Sequence, residues 1–65
     1  MSNISKSLRK LKKTKGLFQE KLARLADVAN NTIVKIEAGK NKNPTLTTLK
    51  KIAKVLEVSV DDLIS

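Results

Sequence analysis

Cysteine, histidine, tryptophan and tyrosine are absent from these 65 residues, and phenylalanine, proline and methionine occur once each. Without cysteine no disulfide can staple the chain, and without histidine as well a zinc site lacks its usual donors. The same two absences leave nucleophilic and imidazole-based catalysis without their commonest groups. Asp61-Asp62 is the only paired carboxylate, and it falls in the first turn of a helix, where capping and the helix dipole account for it. An enzyme is therefore not expected, and no cofactor, metal or small-molecule ligand is implied. Apolar runs are also missing. None approaches the roughly 20 residues that cross a bilayer, and Ile4, Leu8 and Leu11 are interrupted by Lys and Arg rather than joined in a signal-peptide core. With Phe18 as the lone aromatic residue, no helix pairs a basic face with bulky interfacial anchors, so a membrane partner is not expected. The lack of cysteine fits a reducing cytoplasm.

Acidic residues are scarce, and their placement matters more than their number. The chain has 14 Lys and Arg against 6 Asp and Glu. Residues 1–43 hold 11 of those cations against Glu20, Asp27 and Glu37, a net +8. Residues 44–65 set Lys50, Lys51 and Lys54 against Glu57, Asp61 and Asp62, a net zero. One side facing a polyanion and one neutral side are the natural reading. At 65 residues the chain is one domain that buries only about 60% of its unfolded surface. Helix packing and self-association are the stabilising routes left.

The hydrophobic spacing predicts helices throughout. Ile4, Leu8 and Leu11 mark an amphipathic helix over 3–15, capped by Ser2, Asn3 or Ser5 and ended by Gly16. A second helix spans Gln19 to Ala26, with Leu22, Ala23 and Ala26 inward. A tight turn at Asp27-Val28-Ala29 follows, with Asp27 where positive φ is wanted. A third helix runs from Asn30 to about Ala38, with Ile33 and Ile36 inward and Gly39 at its end. The basic loop Lys40-Asn41-Lys42-Asn43-Pro44 cannot continue it. Thr45 and Thr48 cap a fourth helix whose stripe is Leu46, Leu49, Ile52, Ala53 and Leu56. Ser59 and Asp62 form a capping-box-like start for a short fifth helix. The expected architecture is an all-α, compact five-helix bundle occupying residues 1–65, with the paired helices at about 19–38.

Laid out this way, almost the whole chain resembles the phage-repressor and Cro-like helix-turn-helix family, also called the XRE family. The residues that carry the resemblance are Gly16-Leu17, Gln19, Leu22-Ala23, Ala26, Val28, Ile33, Ile36, Glu37, Gly39-Lys40 and Asn43-Pro44. The run from Leu49 to Leu56 and the ending Val58-Ser59-Val60-Asp61-Asp62-Leu63 complete it. The resemblance implies a lambda-repressor-like fold whose third helix enters the major groove of double-stranded DNA. Asn30, Asn31, Thr32, Val34 and Lys35 then face the bases, and amide, hydroxyl, methyl and ammonium groups suit that task. Gln19, Lys40, Asn41, Lys42 and Asn43 would hold phosphates, and Lys12 with Glu37 would form a supporting ion pair. Three residues depart from the pattern: Asp27 for a turn Gly, Phe18 for a Ser or Thr cap, and Ala29 for a Ser cap whose role Asn30 could assume. Glu57 also replaces a common helix-ending Gly.

The resemblance further implies a homodimer on a palindromic operator, with Val55, Val60, Leu63 and Ile64 as the apolar interface. The expected role is a cytoplasmic, nucleoid-associated transcriptional regulator of prokaryotic or phage type, acting as a repressor. An antitoxin that also binds DNA is the alternative. Such proteins usually carry an added toxin-binding segment, and this chain ends just after the fifth helix.

Overall fold

The computed structural model describes residues 4–64, and among them the chain forms five helices and no strand: α1 (Ile4–Thr14), α2 (Gln19–Ala26), α3 (Asn30–Glu37), α4 (Leu46–Leu56) and α5 (Val60–Ile64). This is the all-α, five-helix architecture that the spacing of Leu, Ile and Ala demands. α2 packs on α3 and α4, while α1 packs on α3 and α5. Leu8, Leu22, Ile33, Ile36, Ile52, Leu56 and Leu63 meet at the centre with no exposed surface. A domain of this length has roughly 3–10 kcal/mol of net stability. Truncating one such side chain to Ala costs about 2–5 kcal/mol, so each is close to indispensable.

The four longer helices end in the same way. The N–H groups of Gly16, Asp27, Gly39 and Glu57 bond the carbonyls of Lys13, Arg24, Ile36 and Lys54, three residues back. The next residues, Leu17, Val28, Lys40 and Val58, bond carbonyls five back, at Lys12, Ala23, Lys35 and Ala53. That paired pattern is the Schellman ending, and it requires a left-handed residue at the first position. Gly39 meets the requirement freely at φ 76°, whereas Asp27 and Glu57 adopt it at φ 57° and 58° with a Cβ. In three of the four endings the second residue is apolar, and Leu17, Val28 and Val58 fold back against the core. Each non-glycine site is also approached by a lysine distant in sequence. Lys51 Nζ lies 3.4 Å from the Asp27 carbonyl oxygen, and Lys15 Nζ lies 2.9 Å from Glu57 Oε1. The ammonium of Lys15, bonded to it and attracting it, holds the Glu57 carboxyl below its ordinary range.

The starts differ. Thr45 Oγ1 accepts the Thr48 N–H at 3.2 Å. Ser59 and Asp62 bond reciprocally at 3.0 and 3.3 Å, closing the expected box. Several expectations need correction. Ser5 is inside α1 rather than capping it, and Ser2 and Asn3 lie outside the described residues. Leu46 is 58% exposed and drops out of the inner stripe, because the first turn of α4 projects past the core. Leu63 has no exposed surface. It closes the core under α5 and cannot face a partner. Val55, Val60 and Ile64 are half-buried.

Because the Asp27 side chain is 97% exposed and its nearest cation is 4.0 Å away, replacing it removes strain and little else. Asp27→Gly is expected to raise stability by about 0.5–1 kcal/mol, read as a higher urea midpoint at unchanged slope. A lower midpoint would contradict this account of the turn.

Candidate nucleic-acid interface

α3 divides cleanly along its length. Ile33, Ile36 and Glu37 are buried, Asn30, Asn31 and Lys35 are exposed, and Thr32 and Val34 are half-buried between them. Asn31 and Lys35 sit one turn apart on the outer side, as an i, i+4 pair must. Ala29 supplies the extended N-cap backbone with no side-chain bond, so the third helix starts at Asn30 and the Asn30 amide is not spent on capping. None of the polar side chains of Asn30, Asn31, Thr32 or Lys35 makes a hydrogen bond or ion pair among the described residues.

The inner end of α3 is tied to both preceding helices. Lys12 Nζ of α1 lies 2.9 Å from Glu37 Oε1, and Gln19 Nε2 of α2 donates to the same oxygen at 3.3 Å. The Glu37 side chain is only 6% exposed and that of Lys12 17%, so the pair is shielded from water and from salt. Glu37 Oε2 has no hydrogen-bond partner among the described residues. Ser5 Oγ donates to the Glu37 carbonyl at 2.6 Å, a second link from α1. Ser5 and Lys12 are seven residues apart, two turns along one face of α1. That seven-residue spacing is the sequence signal for the double link.

The residues expected at phosphates fall beside α3 and in the loop after it. Gln19 opens α2 and lines a shallow cleft with Lys12, Phe18, Glu20 and Asn30. Its amide keeps a second N–H and its carbonyl beyond the bond to Glu37. Lys40, Lys42 and Asn43 are exposed and Asn41 is half-buried, in the loop beyond the C-terminal end of α3. The Asn41 side-chain oxygen accepts the Asn43 N–H at 3.2 Å, which folds the loop on itself. Lys35, Lys40 and Lys42 have no acidic partner among the described residues, whereas Lys12, Lys15 and Lys51 do. Three cations without an acidic partner thus lie on α3 and the loop after it.

Two short helices at a tight left-handed turn, the second with a polar outer face, define a helix-turn-helix. The helix-turn-helix family model matches residues 8–63, and the chain belongs to that family, in its XRE type. The HTH-type transcriptional regulator RghRB of Bacillus subtilis is 37% identical over 65 residues, covering 100% of this chain and 47% of that protein. The chain therefore spans about half the length of that relative. Among solved structures, the N-terminal DNA-binding domain of SinR from Bacillus subtilis superposes with a TM-score of 0.90 at 35% identity, covering 92% of this chain and 87% of that one. SinR has also been solved in complex with DNA. The restriction-modification controller protein C.AhdI from Aeromonas hydrophila gives 0.88 at 31% identity, covering 95% and 92%. These neighbours have the lambda-repressor-like arrangement. No helix among the described residues is long and apolar enough to cross a membrane.

Glu37→Gln keeps the shape of the side chain and removes its charge, leaving the Lys12 ammonium half-buried and unpaired. The expected cost is about 3 kcal/mol, measured by urea unfolding. A midpoint within error of the unaltered protein would show that the pair is not structural.

Proposed function

We propose that this domain is a sequence-specific reader of double-stranded DNA and acts in transcriptional regulation, as a repressor. The observation that carries the reading is the outer face of α3. Asn30, Asn31, Thr32 and Lys35 offer amide, hydroxyl and ammonium groups with no internal partner, on a helix narrow enough for the major groove. Unsatisfied donors and acceptors in such a row serve base edges, with the half-buried Val34 placed for a thymine methyl. Gln19, which bonds Glu37 in the last turn of α3 and shares a cleft with Asn30 of the first, and Lys40, Asn41, Lys42 and Asn43 in the loop after α3 flank the helix as groups for the phosphate contacts that set its register. The net +8 of residues 1–43 supplies the long-range attraction.

A single α3 covers only a few base pairs. The reading therefore includes a homodimer on a palindromic operator, with recognition helices about 34 Å apart. Val55, Val60 and Ile64 are the half-buried apolar residues available for the two-fold contact. This reading places the protein with the genome, in the cytoplasm.

Selection from a random duplex pool, followed by anisotropy titration at two salt concentrations, tests the reading. The expected outcome is a palindromic site and a log–log salt slope equal to several phosphate contacts. Asn31→Ala should lose about 1–3 kcal/mol of discrimination at one base-pair position per half-site. Lys42→Ala should weaken all duplexes alike and reduce the slope by about 1. Uniform losses from Asn31→Ala, or salt-independent binding, would refute the assignment of these roles.

A further inference from the structure

Phe18 is the one aromatic residue of the chain and is 82% exposed. It precedes α2 with extended backbone, φ −95° and ψ 163°, and makes no side-chain bond to the first turn. A phenylalanine usually earns its place in a core, and this position usually holds a capping hydroxyl or carboxylate. Phe18 does neither. Its cleft also contains Lys12, Gln19, Glu20 and Asn30, so the ring sits beside two residues assigned above to DNA.

The charge of that cleft selects what can lie against the ring. Lys12 is neutralised by Glu37 at 2.9 Å, and Glu20 adds a negative charge. The face of an aromatic ring is itself negative. A phosphate is therefore disfavoured at the ring, although Gln19 next to it offers amide donors. Between successive phosphates of a DNA strand the backbone presents the neutral C–H surface of deoxyribose. We infer that Phe18 packs on a deoxyribose flanking the phosphate held by Gln19, adding affinity without reading sequence. The inference rests on the DNA-binding reading above. Leu25, also exposed at 52%, lines a separate groove with Lys51, Lys54 and Val55 and serves as the comparison.

The test uses anisotropy titration of the unaltered protein, Phe18→Ala, Leu25→Ala and Lys42→Ala on a selected duplex and a random one. Melting curves and sedimentation are recorded for each. Phe18→Ala is expected to weaken both duplexes by about threefold to tenfold, the range for partial burial of one ring. It should leave the salt slope and the melting temperature unchanged, while Leu25→Ala stays within about twofold of the unaltered protein. Equal affinity for Phe18→Ala overturns the inference. So does a shift in the monomer–dimer equilibrium with unaltered half-site binding, which would assign the ring to a protein contact. Failure of the unaltered protein to bind any duplex overturns the DNA reading and this inference together. Binding that Lys42→Ala weakens and Phe18→Ala does not overturns this inference alone.

Discussion

The carboxylate of Glu37 closes the corner where the first three helices meet. It is the only buried charged residue among those described, and one of its oxygens receives both Lys12 from α1 and Gln19 from α2. In water such a pair is worth little. In a shielded corner the charge is costly unless partnered, so the helices are held where the partners reach. A lysine supplies a compact charge where a guanidinium would supply a bidentate fork, and Ser5 adds the directional bond to the Glu37 backbone. The angle at which α3 leaves the body follows from these three bonds and from Ile33 and Ile36 beneath them.

Helix termination is the second constraint. Four helices of 8 to 11 residues are folded against one another by one repeated ending, in which a left-handed residue turns the chain and the residue after it returns toward the body. Where that second residue is Leu17, Val28 or Val58 it is drawn into the core. Where it is Lys40 it stays in solvent, and the chain departs into the loop instead of turning back. The same device therefore makes three packed corners and one open one, and the open one begins the basic loop. Acidic residues at two left-handed positions accept some strain and gain a lysine neighbour from a distant part of the chain.

Charge is partitioned by this geometry. Glu37, Glu57 and Asp27 each draw a lysine of the scaffold, so part of the positive excess is consumed internally. Lys35, Lys40 and Lys42 keep theirs. Lys35, Lys40 and Lys42, on α3 and its following loop, are thus among the cations left for a polyanion, together with Lys10, Lys13, Lys21, Arg24, Lys50 and Lys54, which also have no acidic partner among the described residues.

Element type and order were legible in the residues, since apolar spacing of three and four leaves no other regular structure for segments this short. The boundaries of α2 and the starts of α3 and α5 were legible too, because Gly, Ser, Thr, Asp and Pro act over one turn. Exposure at the edges was not. Leu46 and Leu63 both sit at apolar positions of amphipathic helices, yet one projects into solvent and the other is sealed by α1 and α4. The Ser5 bond, the shared hold on Glu37 and the exposure of Phe18 likewise depend on which helices meet. By itself the sequence determined five helices, their ends and an uneven charge, all of which arise from neighbours within a few residues. Only the tertiary structure decided which polar groups are consumed inside the protein and which face outward, because that is settled by helices brought together from 18 to 42 positions apart.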